Sequence, residues 1–501
     1  MTDQEDDLTD AQRNLQGPLD RFFTRAAHLH VGFPIAQSMS AMAFVLHEKE
    51  KDEYAIANGD IEEDGEKTYH TIPIEHVNRY EVLRRRSSAS AAYYRRIPGF
   101  HLSALVEELD LFLGEMIEQL LLSGKVDQKI TEKSIEYIDL LKFNSFQEAK
   151  DWLVSKESDK FLRKGIGDQV EWFNSIGAKL PMDHKVILQA IECVERRNCV
   201  VHADSKASKF YLENLAGRGV ELSRAKIGSD LRPSNDYLKN TFSTFIVFGC
   251  MIFTVVWSKM CRRDDKHWEK LFTALNDLVY KLMLQHDYGT ALRVASFMHD
   301  DLKDFETTDT DRRIMKVNLA LCETKAGTKK SAEKILDSED WRSTSHNFQA
   351  AVAAVRGQTD EALALIRTGF AGQQISKPDL IQWPVFEHLR TLKKFKGLYE
   401  ELVGAGEADK ALVEAELPKP YGTKLSKVIT DAIELLAIAD TTKRDGSTAP
   451  DKPMEAEPVE KSSRQKGKRA SPPRTARPRV RIQGGSEPKA PSESGPGSGP
   501  G

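Results

Sequence analysis

Glu195-Arg196-Arg197-Asn198-Cys199-Val200-Val201-His202 places two arginines, an amide and an imidazole within two helical turns. The helical reading comes from the approach to it. Ile187, Ile191, Val194 and Val201 are apolar at steps of four, three and seven, the stripe of a helix that buries one side. On an ideal helix Asn198 and His202 stand one above the other, whereas Arg197 lies roughly 140° round from His202 at about 100° per residue. The long arginine stem closes part of that gap, and a second copy of the chain would supply the rest.

Upstream, Leu102 to Leu122 has the clearest helical period in the chain. Leu102, Leu105, Val106, Leu109, Phe112, Leu113, Met116, Ile117, Leu120 and Leu121 recur at three and four, with Glu107, Glu108, Glu115 and Glu118 on the other side. Further helices are expected at Thr131–Leu141, Ser145–Lys156 and Phe161–Ile176, and Pro181 lies just ahead of the motif helix. Downstream, Gly217-Arg218-Gly219 and Gly228-Ser229-Asp230 read as turns. Neither has the glycine spacing of a phosphate-binding loop or a dinucleotide fingerprint. Phe245 to Trp257 is the most apolar run. At about 13 residues it is shorter than the roughly 20 needed to span a bilayer, so a buried bundle or dimer helix is expected, and no membrane partner.

Arg-Asn, three residues and His on a helix, with a long amphipathic helix upstream, a glycine-containing segment after the histidine and an apolar closing helix, resembles the R-x4-6-H signature of the HEPN superfamily. The resemblance covers about residues 98–265. It implies an all-α bundle and a metal-independent endoribonuclease without cofactor, acting on RNA as a homodimer whose motif helices face each other. It also implies a role in defence or stress, as a toxin that cuts cellular RNA. The Asn often found directly after the histidine in this family is Ala203 here.

The chemistry suits the residue types. RNA carries its own nucleophile, the 2′-hydroxyl, and an imidazole titrates near neutrality, so His202 is the candidate general base or acid. A guanidinium matches two phosphate oxygens and stays charged, so Arg197 is the candidate transition-state cation and Asn198 the positioning amide. Arg196 also fits the loose spacing, as a second candidate for binding substrate. The structural alternative is a helix whose histidine has no role in chemistry. No metal site is expected, because His28, His30, His47, His70 and His76 have no helical ligand pair among them.

The chain has 501 residues, 30% of them charged, enough for two or three domains, and its net charge of −4 leaves any RNA affinity to local patches. One such patch is Arg84-Arg85-Arg86 with Tyr93-Tyr94 and Arg95-Arg96, basic residues beside aromatics as single-stranded nucleic acid wants. A solvated basic helix with half-buried tyrosines is the favoured alternative. Five cysteines without a C-x-x-C pair suit a reducing, cytoplasmic compartment, and residues 1–20 have no signal-peptide pattern. Residues 1–19 are acidic and polar and are expected to be disordered. Residues 20–97 carry no assignable fold; the charged run Glu48–Glu53 and Asn58–Gly65 read as surface loop, Thr71–Ile74 as a short edge strand or a merely extended segment, and Pro98-Gly99 as a boundary.

From residue 266 to 440 helix pairs are separated by turns at Asp287-Tyr288-Gly289, Lys325-Ala326-Gly327 and Arg356-Gly357-Gln358, each followed by a small residue, Ala291, Ala332 or Ala362. This resembles degenerate tetratricopeptide-type repeats, which stack into a surface for a protein partner. Residues 441–501 are rich in Pro, Ser, Gly, Lys and Arg and are expected to form a disordered basic tail. It either holds RNA through counterion release or merely solubilises the chain.

Overall fold

The computed structural model describes residues 3–404, apart from 65–66, 124–125, 127–135, 221–224, 261–266 and 306, together with residues 480–483. These fall into two compact units, one of residues 3–33 with 98–404 and one of 34–97 with 480–483. The chain is mostly helical, in the order α1 (Asp3–Asn58), α2 (Ile74–Leu122), α3 (Tyr137–Leu140), α4 (Phe146–Leu162), α5 (Ile166–Ser175), α6 (Lys185–His202), α7 (Lys209–Gly217) and α8 (Asn235–Met260). Then come α9 (His267–Leu284), α10 (Tyr288–Asp300), α11 (Asp309–Lys325), α12 (Lys329–Asp337), α13 (His346–Val355), α14 (Thr359–Ala371), α15 (Lys377–Gln382), α16 (Glu387–Arg390) and α17 (Lys393–Val403).

The larger unit is organised around α8. Ser234 caps its start, accepting from the Tyr237 N–H at 3.1 Å, and beyond its exposed first turns its apolar side chains point in every direction, so from Thr241 to Thr254 it has no solvent face. Seventeen of its residues are buried, from Leu238 to Trp257. It is long and apolar enough to cross a membrane, as is Leu15–Asn58 of α1, but here α8 is the core helix, with α6, α9 and α10 packed on it. The ten apolar positions of the Leu102–Leu121 stripe are all buried, and the nine from Leu105 onward belong to the same core.

At Gly249, α8 lies close against α1. A Cβ there would stand 2.8 Å from Cε1 of Phe22, whose ring is stacked on Phe112 of α2 at 4.8 Å. Gly249→Val is therefore expected to cost about 1–3 kcal/mol through overpacking, read as a lower urea midpoint at unchanged slope.

Several expectations at the N-terminal end are corrected. Residues 3–19 are helical, not disordered, and Leu15 and Leu19 are in the core. Pro98 is a boundary as expected, since the larger unit resumes there, but it lies inside α2 and does not end the helix, as Pro34 lies inside α1. Glu48–Glu53 is not a loop but the continuation of α1. Its charges are satisfied on the helix and against α2: Lys51 pairs with Glu48, Lys49 with Glu53 at 3.6 Å, and Arg86 with Glu50 at 3.3 Å.

The smaller unit therefore has the Pro34-to-Asn58 part of α1 and the Ile74-to-Ile97 part of α2, joined by a hairpin of β1 (Asp60–Asp64) and β2 (Lys67–Ile72). Its small cores are Ala41, Phe44, Ala91 and Tyr94, and Ala55, Ile72 and Tyr80. β1 and β2 pair antiparallel, with Asp60 opposite Thr71, and β3 (Val480–Gln483) adds to β2, with Val480 opposite Ile72. The fold is thus not purely α-helical, and these four residues of the expected disordered tail form a strand. The remainder of 441–501, and the expected helix start at Thr131, lie outside the described residues.

Downstream of α8 the helices pair as α9/α10, α11/α12 and α13/α14, and the first helix of each pair lies beside the first of the next. Two of the turns use the expected glycine in a left-handed conformation, Gly327 at φ 86° and Gly357 at φ 76°. The other uses His286 at φ 58°, while Gly289 sits in the first turn of α10 behind the Asp287 cap. Ala291, Ala332 and Ala362 are each buried, as close helix pairing requires. The core runs on without a break from Leu15 to Tyr399; the expected division at 265/266 falls at residues that are not described.

Candidate functional site

α6 positions the motif. Its inner side, Val186, Ile187, Ala190, Ile191, Cys193 and Cys199, is buried against the bundle, leaving the motif side chains between the core and solvent. His202 is the last residue of the helix and is exposed, with Asn198 half-buried one turn below it. The backbone that follows turns back sharply: Asp204 at φ 47° and Ser205 at φ 60° are successive left-handed residues without glycine. Such strain persists only where the surroundings hold it. Here the Ala203 and Ser205 N–H groups both donate to the Cys199 carbonyl, and Ser205 accepts from the Leu231 N–H at 2.7 Å. The turn at Gly228 (φ 84°) thus clamps the end of the helix that carries His202.

Arg197 is half-buried. Its Nη1 donates to Oδ1 of Asn198 at 3.1 Å, and its Nη2 lies 3.6 Å from Oδ2 of Asp110 on α2. The arginine and the amide are thus brought together. The imidazole is at the same end of α6, but no hydrogen bond joins it to either among the described residues.

Arg196 goes elsewhere. Its Nε donates to Glu192 at 2.7 Å and its guanidinium sits 4.0 Å from the centre of the Tyr237 ring, while both Tyr211 and Tyr237 donate their hydroxyls to the same carboxylate at 2.8 and 2.7 Å. That closed network gives Arg196 a structural use within the bundle. Arg84, Arg85 and Arg86 belong to the smaller unit, where Arg84 pairs with Glu81 at 2.8 Å and Arg86 with Glu50. Of the neighbouring aromatics Tyr94 is buried and Tyr93 exposed.

The feature that sequence reasoning missed is the groove beside Arg197. It encloses about 590 Å³ between α2, α4 and α6, and Glu107, Asp110, Glu115, Glu118 and Asp159 line it together with Arg197 and Val201. The glutamates were legible as the polar side of α2, but that this side would line a cleft beside the motif depends on a contact distant in sequence. Burial pushes the Asp110 carboxyl up to about 6, with Arg197 opposing the shift and Glu107 adding to it.

Between the ordinary value near 3.8 and 6, the folded chain therefore holds a proton that the unfolded chain has released. That contribution to stability is fully present below about pH 4 and is lost as pH rises through 6. Asp110→Asn is expected to remove it. Discounted for the third of the carboxylate left in solvent, wild type should lose about 1 kcal/mol against the variant between pH 4 and 7, measured by urea unfolding at both pH values.

Of the N-terminal histidines, His30 stacks on Phe242 at 4.3 Å and His47 Nδ1 is 2.6 Å from Ser90 Oγ. Among the described residues no three His, Cys, Asp or Glu side chains are gathered so as to hold a metal. In comparisons with family models, curated proteins and solved structures, nothing matches this chain.

Proposed function

We propose that this chain is a metal-independent endoribonuclease of HEPN type, with Arg197, Asn198 and His202 as its catalytic set and a second copy of the chain completing the cleft. The observation that carries the reading is the placement of His202. Its imidazole is open to solvent at a backbone-clamped helix end, one turn beyond an amide that already holds a guanidinium. Exposed Val201 beside it and exposed Phe210 on α7 offer apolar surface next to the motif for a second copy to cover.

In the proposed reaction an imidazole takes the proton of the ribose 2′-hydroxyl as its oxygen bonds to phosphorus. The Arg197 fork holds the charge gathering on the non-bridging oxygens, and the bond from phosphorus to the 5′-oxygen breaks as the imidazolium of the other copy protonates it. The products are a 2′,3′-cyclic phosphate and a free 5′-hydroxyl. The test is incubation of the purified chain with cellular RNA in excess chelator, with end analysis. Chelator-resistant cleavage leaving cyclic phosphate ends is expected, and strict dependence on a divalent metal would refute the mechanism.

One observation favours a second reading, a non-catalytic adaptor that dimerises through the bundle and binds a protein through its helical hairpins. The five carboxylates around Arg197 repel RNA phosphates, and one of them already pairs with the arginine. On this reading the purified chain leaves RNA intact under every condition that keeps it folded and dimeric.

A further inference from the structure

We propose that the groove between α2, α4 and α6 is a binding site for a linear aliphatic polyamine. The groove lies beside the proposed catalytic set, yet the binding stands whether or not that set cuts RNA.

The sign of the ligand's charge comes first. Five of the groups lining the groove are carboxylates, and Arg197 is the one cation among them. Arg197 is engaged with Asp110 and Asn198, and Glu115 is taken by Arg21 at 2.6 Å. Glu107, Glu118 and Asp159 are exposed, and their carboxylates have no hydrogen bond or ion pair among the described residues. The site is thus rich in acceptors and attracts cations.

The carboxylates are strung out rather than gathered. Glu107, Asp110, Gly114 and Glu118 follow one another along one side of α2, so a step of four residues advances about 6 Å and the row spans about 16 Å. Among the described residues no three of them converge as the oxygen shell of a metal ion requires. The ligand that fits is long and carries its charges apart. A protonated polyamine does so, and the propylene or butylene link between two of its ammonium groups covers much the same length as one step of the row. Its methylenes find apolar contact on Leu111 of α2, Leu162 of α4 and Val201 of α6. Gly114 opens the middle of the row, since a Cβ there would stand 3.1 Å from Cδ1 of Leu162.

A second observation points to a donor. Ser158 of α4 lines the groove and is only 8% exposed, and its hydroxyl has no hydrogen-bond partner among the described residues. Its oxygen is not sealed from solvent, so a group in the groove reaches it. A nearly buried hydroxyl without a partner is costly, and an N–H donor satisfies it. Every polar group of a protonated polyamine is such a donor. A peptide would bring a carbonyl with each N–H, whereas the walls here are the middles of helices whose backbone N–H groups are used within them.

The test is calorimetric titration of the RNA-free full-length chain with the tetra-amine spermine, the diamine putrescine and Mg²⁺, all at one ionic strength. No RNA is present, so failure of binding is distinct from failure of the nuclease reading. Spermine is expected to fill one site per chain and to bind roughly tenfold or more tightly than putrescine, because the longer chain engages both ends of the row. Glu118→Gln and Ser158→Ala, each checked by its melting curve, are expected to weaken spermine by about tenfold. Glu333→Gln, an equal loss of charge on α12, is expected to leave it unchanged. Absence of saturable spermine binding, displacement of spermine by Mg²⁺ at matched charge, or the same affinity in Glu118→Gln as in Glu333→Gln overturns the proposal. Displacement of spermine by a lower concentration of a lysine-rich peptide overturns it in favour of a basic protein segment.

Discussion

Replacing His202 with alanine is expected to slow RNA cleavage by about 10²–10⁴-fold, the range a positioned general acid–base group contributes. The side chain is exposed at the end of α6 and its imidazole makes no hydrogen bond among the described residues, so stability should move by no more than about 0.5 kcal/mol. Arg197 should behave differently. Arg197→Lys keeps a positive charge but loses the planar fork, so it is expected to restore little of the activity lost in Arg197→Ala. Losing Arg197 also leaves Asp110 without its cation and disturbs the wall of the groove. A His202→Ala protein that cleaves as fast as wild type removes the imidazole from the mechanism. Loss of cleavage together with loss of the folded state would instead mark a structural residue.

The largest effect on stability is expected at Glu192. Its carboxylate is the shared acceptor for the Arg196 guanidinium and for the hydroxyls of Tyr211 and Tyr237, and its side chain is only 14% exposed. Glu192→Ala would strand a cation and two phenols at the junction of α6, α7 and α8. The expected cost is about 3 kcal/mol, at the lower edge of what breaking a buried ion pair does. A urea midpoint measured beside that of Glu192→Gln, which keeps one acceptor oxygen, separates loss of charge from loss of the hydrogen bonds. The same network makes Arg196→Ala a stability variant, while its effect on cleavage should follow the folded fraction. A well-folded Arg196→Ala protein that no longer cuts RNA would return Arg196 to the substrate side.

Much of the fold was legible because its signals are local. The Leu102–Leu121 stripe, the unbroken apolar run of α8 and the small residue after each hairpin turn state their burial in their own spacing, and each is buried. What could not be read depends on partners far away in sequence. Glu48–Glu53 resembles a loop until α2 supplies arginines to pair with it, and Pro98 resembles a terminator until the helix is seen to continue through it. The acidic N-terminal stretch hides Leu15 and Leu19 among polar neighbours.

At the site, the contact of Arg197 with Asn198 follows from adjacency, but the division of labour between Arg196 and Arg197 does not. It is set by which carboxylate each meets, Glu192 one turn back on the same helix or Asp110 on α2. A sequence containing two neighbouring arginines cannot state that difference.

Among the described residues the hydrogen bonds of half-buried Arg293 on α10 go to neutral acceptors, Gln189 on α6 at 2.9 Å and Thr244 on α8 at 3.1 Å among them. With the unbroken core beneath it, this arginine rivets the hairpin array to the rod that bears the motif. Severing the peptide between Met260 and His267 would divide the polymer without dividing the object. Half-molecules expressed as independent modules would each bare a raw apolar flank, so the array is less an accessory than the other wall of one building.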